Sequence, residues 1–152
     1  MNAENLKFKI GLSGTFYQKR PQYSILINNI ETVSGTVTAD SNDIFFVEFD
    51  YDFDENTTNK LQIRLENKTP FDTMVVNGDI IKDMLLNIES ISIDSIDLGF
   101  LIWSKSIFKL DRPQKINDET ITELANCVNL GWNGSYELEF TSPFYFWLLE
   151  NF

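Results

Sequence analysis

Asn77-Gly78-Asp79-Ile80-Ile81-Lys82-Asp83-Met84-Leu85-Leu86-Asn87-Ile88-Glu89-Ser90-Ile91-Ser92-Ile93-Asp94 opens with a turn and runs into a strand. Asn-Gly tolerates positive φ better than almost any other dipeptide, so it marks a tight reversal. Leu86 and Ile88 alternate on one face, and Ile91 and Ile93 alternate one residue out of phase. One extra residue at Glu89-Ser90 repairs that register, which is what a β-bulge does. Asp94-Ser95 then turns the chain into Ile96 and Leu98. The result is one long, half-buried strand fed by an acidic turn region.

Outward from this strand the same period of two recurs. Leu6, Phe8, Ile10 and Leu12 alternate with polar residues or glycine, and Ser13-Gly14 ends the run. Tyr23, Ile25 and Ile27 repeat the pattern up to a turn at Asn28-Asn29, and Glu31 to Thr38 follows as a short strand. Ile44 to Phe49 is a stronger one, and Leu61, Ile63 and Leu65 alternate cleanly. Strands spaced roughly every ten residues predict an antiparallel β-sandwich. The acidic alternation Asp50-Tyr51-Asp52-Phe53-Asp54 lacks the glycine and distal glutamate of a helix-loop-helix calcium loop, and its aromatics point to an edge strand.

Beyond Leu98 the pattern weakens. Residues 104 to 128 form a long polar excursion, irregular apart from a turn or two of helix near Thr120–Ala125. Trp103 and Trp147 sit in apolar runs and are expected to be buried, whereas Trp132, in a Gly-flanked loop, is the aromatic expected at the surface. Phe144 to Leu149 is apolar throughout and reads as a strand covered on both faces. In that reading Tyr145, Trp147 and Leu149 face away from the core and, with Phe152, form an assembly interface, with cover by the chain's own Ile107–Ala125 excursion as the competing explanation.

Composition narrows the chemistry. At 152 residues, with 43% hydrophobic and 14% aromatic residues, the chain is expected to be one domain, 1–152, with a substantial core. A net charge of −11 repels polyphosphate, so nucleic acid is not an expected partner. No apolar run reaches bilayer length, so neither is a membrane, and the N-terminus lacks the features of a signal peptide. The absence of histidine removes Ser-His and Cys-His nucleophile pairs and histidine metal sites. The single cysteine, Cys127, cannot form an intramolecular disulfide and reads as a small hydrophobe. No spacing singles out a catalytic carboxylate pair, so no catalytic residue and no enzyme activity is expected.

Two sets of residues are left for binding. Asp72, Asp79 and Asp83 offer the hard oxygen ligands that Ca2+ prefers. Capping of turns by side-chain-to-backbone hydrogen bonds is the competing role, and the commoner one. Trp132 and Tyr51 offer flat faces on which a sugar ring can stack.

A resemblance enters on these residues. Asp83 to Asp94 resembles the Asp-Arg-Asn-Leu-x-Val-x-x-Ile-x-Val-x-Gly stretch of calcium-dependent xylan-binding, carbohydrate-binding modules. Phe71-Asp72 and Gly78-Asp79 stand where Asn-Asp and Gly precede it there, and the sequence departs at Met84-Leu85 and Ser95. Leu130–Gly134 and Pro143–Asn151 are similar to stretches in structural proteins of tailed, particularly marine, bacteriophages. The resemblance implies a jelly-roll-like sandwich. Joined to the acidic, disulfide-free composition, it implies a non-catalytic component of a phage virion, in the tail, baseplate or capsid exterior. Its partners would be other virion proteins and copies of itself, and it would be made in the host cytoplasm. The alternative is a calcium-dependent glycan-binding adhesion module that takes a surface polysaccharide.

Overall fold

The computed structural model describes residues 3–39 and 43–152. In chain order the strands are β1 (Ala3–Thr15), β2 (Gln22–Ile27), β3 (Ile30–Thr36), β4 (Phe45–Asp54), β5 (Thr58–Leu65), β6 (Met74–Val76), β7 (Asp79–Lys82), β8 (Leu85–Ile93) and β9 (Ile96–Asp97). A single helical turn, α1 (Leu101–Ser104), precedes β10 (Ser106–Ile116), β11 (Glu119–Ala125), β12 (Asn129–Leu130) and β13 (Gly134–Thr141), and helix α2 (Phe144–Asn151) ends the chain. The strands make two antiparallel sheets, β12-β8-β1-β4 with β9 also on β8, and β11-β10-β13-β5-β2-β3. β6 and β7 pair only with each other. The fold class is the antiparallel β-sandwich that the period of two predicts.

Alternation decides which faces meet. Leu6, Phe8, Ile10 and Leu12 of β1 turn inward while Lys7 and Lys9 stay in water. Ile25, Ile27, Leu61, Ile63, Leu138 and Phe140 answer them from the other sheet, all fully or almost fully buried. Phe8 stacks on Phe49 of its own sheet at 4.9 Å and meets Phe140 of the opposite sheet at 6.4 Å. Each such ring removes 150–250 Å2 of surface from water, which makes this aromatic layer the main glue between the sheets.

The bulge lies where the phase change in β8 requires it. Ile91 faces Ile10 and Ser90 faces Gly11, but Ile88 faces Leu12, so Glu89 has no partner across the ladder. Ile88, Ile91 and Ile93 are all buried as a result. Four two-residue reversals, at Asn28-Asn29, Asn77-Gly78, Asp94-Ser95 and Asn117-Asp118, have positive φ at both positions. That is the turn geometry whose twist matches paired antiparallel strands.

Several expectations need correction. Ser13-Gly14 does not end β1, which continues to Thr15. The polar segment 104–128 is no irregular loop. β10 pairs with β13 only as far as Leu110, and its outer half, with β11, projects as a two-stranded ribbon. Thr120–Ala125 is accordingly strand, not helix. The C-terminal run is a helix, because its apolar residues also satisfy a period of 3.6: Phe144, Trp147 and Leu148 are buried, and Tyr145, Phe146 and Leu149 face out. A short, wholly apolar run carries both periods, and only tertiary contacts choose between them. Glu4 assists, its carboxylate accepting from the Phe144 N–H at 3.0 Å and the Ser142 hydroxyl at 2.8 Å. Trp103 is not buried: it is 42% exposed and lies beside Phe100 at 5.0 Å.

Candidate functional site

One glycine gathers three distant segments. Gly134, the first residue of β13, faces Leu65 at the end of β5 on one side and Leu110 of β10 on the other. The chain leaving β5, the start of the β10 ribbon and the loop entering β13 therefore emerge together at one end of the sandwich. Lys68, Thr69, Pro70, Thr73, Asp111, Arg112, Gln114, Gly131, Trp132 and Asn133 line a cleft there of about 760 Å3, within the range usual for small-molecule sites.

Three side chains of this cleft, Asn133, Asp111 and Lys68, are held by neighbours. Asn133 Oδ1 accepts from the Lys68 N–H at 2.8 Å and its Nδ2 donates to the Lys68 carbonyl at 2.9 Å, tying two walls together. The Asp111 N–H donates to the Asn133 carbonyl at 3.0 Å and secures the third. Arg64 grips Asp111 with one nitrogen at 2.8 and 2.9 Å from the two carboxylate oxygens, and donates to Glu66 at 2.8 Å. Burial would lower the Arg64 pKa, but these carboxylates outweigh it and hold the guanidinium protonated. Asp111 thus shares the Arg64 charge with Glu66. Arg112 is exposed and makes no hydrogen bond or ion pair among the described residues, which leaves its guanidinium available at the rim. Trp132 is half-buried, packed against the core on one side while lining the cleft.

The three carboxylates expected to share a cation do not come together: two are engaged separately and the third is exposed. Asp72 is buried and accepts from the Thr69 N–H at 2.7 Å and hydroxyl at 3.0 Å, with Lys19 Nζ at 3.2 Å. Burial raises its pKa, yet those hydrogen bonds and the ammonium outweigh it and hold the carboxyl below its ordinary value. One oxygen of Asp83 accepts from Lys68 Nζ, from the Thr73 hydroxyl at 2.7 Å and from the Met84 N–H at 2.9 Å. Asp79 is exposed on β7. Among the described residues no group of three or more Asp, Glu, Cys or His could hold a metal ion. The turn-capping role describes Asp72 and Asp83, and this donor set does not fit Ca2+.

Tyr51 is not at this cleft. It lies on edge strand β4 opposite Leu6 and packs beside Phe53 at 5.0 Å, partly in the core. The acidic alternation around it is an edge strand, with Asn5 Nδ2 donating to Asp50 at 2.9 Å and Asp52 at 2.8 Å. The expected interface set divides: Trp147 is core, while Tyr145, Leu149 and Phe152 are exposed, together with Phe146. Lys68, Asn133, Arg112 and Gln114 were missed in the sequence, because nothing local marks residues that only long-range pairing brings together.

No protein-family model and no curated protein matches this chain. Two solved structures do. One is described as vCBM60 in complex with galactobiose, at TM-score 0.52 and 11% identity, covering 87% of this chain and 96% of that one. The other is the selenomethionine form of vCBM60, from work on circular permutation linking two families of calcium-dependent carbohydrate binding modules. It matches at TM-score 0.52 and 11% identity, over 88% of this chain and 89% of that one. At this identity the likeness is one of fold: the chain has a carbohydrate-binding-module-like β-sandwich.

Proposed function

We propose that the chain is a non-catalytic glycan-binding module whose site is the Trp132 cleft. The observation that carries this reading is the cleft itself, in which the Trp132 ring is set beside a fixed amide, Asn133, and a fixed ammonium, Lys68, with the Arg112 guanidinium free at the rim. Sugars present that pairing of surfaces, with apolar C–H faces that lie on aromatic rings and hydroxyls that need donors and acceptors at fixed positions. The fold it shares with the carbohydrate-binding module vCBM60, seen in two structures, supports the same class of ligand, and a surface polysaccharide is the natural partner. Electrophoresis through gels containing soluble xylan or galactan tests it. The wild-type protein is expected to be retarded by at least one polysaccharide, and Trp132→Ala to run as in a plain gel. Unretarded migration of wild type across a broad polysaccharide panel would remove this reading.

A second reading, a structural part of a phage virion, draws on a separate observation. Helix α2 turns Tyr145, Phe146 and Leu149 to water, with Phe152 beyond them, and aromatic-rich faces of that kind suit protein contacts. That face is compatible with assembly and does not specify a particle. The structural neighbours favour the glycan reading.

A further inference from the structure

We infer that the Lys68 ammonium, and not a calcium ion, is the buried cation of this site, and that it donates directly to glycan hydroxyls. The second half rests on the glycan-binding reading, and the first does not. Lys68 has a side chain only 9% exposed, yet it lines the cleft. A Cβ built on Gly131 would lie 4.0 Å from its Nζ, so the ammonium sits beneath the turn that carries Trp132. The backbone on both sides of Lys68 is pinned by Asn133, which limits where the side chain can go.

An ammonium has three donors and no acceptor. Among the described residues Lys68 Nζ has one acceptor, Asp83 Oδ1. A buried charge with unused donors is costly unless something supplies oxygens. In the free protein water can do so, and in the complex the hydroxyl oxygens of a sugar take its place. Calcium has no equivalent opening, since it requires six to eight oxygens. One Asp83 oxygen already receives three donors, Asp72 is occupied by Thr69 and Lys19, and Asp79 stands apart on an exposed strand.

Calorimetric titration of calcium into chelator-treated protein, paired with thermal melts, tests the metal half. No heat and no change of melting temperature are expected, whereas a saturable heat or an upward shift would overturn it. Galactobiose titrated in chelator and in millimolar calcium tests the other half. Equal affinity is expected in both, with a loss of roughly tenfold or more in Lys68→Met at an unchanged far-UV spectrum. Affinity that disappears in chelator, or a folded Lys68→Met that binds like wild type, would overturn it. Absence of galactobiose binding in every arm would overturn hydroxyl donation by Lys68 to this sugar, and the calcium titration of wild type would still decide the metal half.

Discussion

Asn133 and Lys68, 65 positions apart in sequence, are joined by two hydrogen bonds that use both ends of the Asn133 amide and both main-chain groups of Lys68. The side chain thus extends backbone pairing past the last ladder rung at Gly134 and Leu65. Two walls of the cleft keep their spacing through this one residue.

Replacing Asn133 by Ala should therefore loosen the cleft more than the fold. Two lost hydrogen bonds are worth about 1–3 kcal/mol together, measurable as a lower urea midpoint with unchanged slope. Sugar binding should fall further than stability does, because the Lys68 and Trp132 segments no longer hold a common geometry. Asn133→Asp, which keeps one acceptor and loses the donor, should lie between the two.

Helix α2 gives a sharp pair of variants. Trp147 is 8% exposed and Phe146 65% exposed. Trp147→Ala should cost about 3–5 kcal/mol, and Phe146→Ser less than about 0.5 kcal/mol. Chemical denaturation of both decides the register, since a strand in this segment would reverse their order.

Acid should weaken the protein partly through Asp72. Its folded pKa lies below the ordinary carboxylate value, so its contribution is full above the unfolded pKa and is lost as pH falls through the folded one. Wild-type stability is expected to drop below about pH 4. Asp72→Asn should be less stable than wild type at neutral pH, and the difference should shrink in acid. Melting curves across that range check the sign, and a gap that widens in acid would contradict it.

How much of this was legible from residues alone depends on where the determinants lie. β1, β2, β5 and the bulged β8 each carry their own alternation, and the Asn28-Asn29 and Asn77-Gly78 turns carry their own chemistry, so local sequence was sufficient. Helix α2 was not legible, because Phe144–Leu149 has no polar residue to reveal a period. The β10–β11 ribbon is exposed on most of both faces, which erases alternation. Its one local signal was Asn117-Asp118, which has the same positive-φ geometry as the Asp94-Ser95 turn. At the site, Gly-flanked Trp132 announced itself. The lysines that take Asp72 and Asp83 out of any metal set could not, since their pairing depends on how remote loops meet.

The central claim is that sugar binds in the Trp132 cleft, and amide chemical-shift mapping with added galactobiose tests it most directly. The largest shifts are expected in residues 68–73, 111–114 and 131–133, the three segments that Gly134 brings together. Shifts confined to another part of the surface, such as β4 around Tyr51 or the outer face of α2, would contradict it.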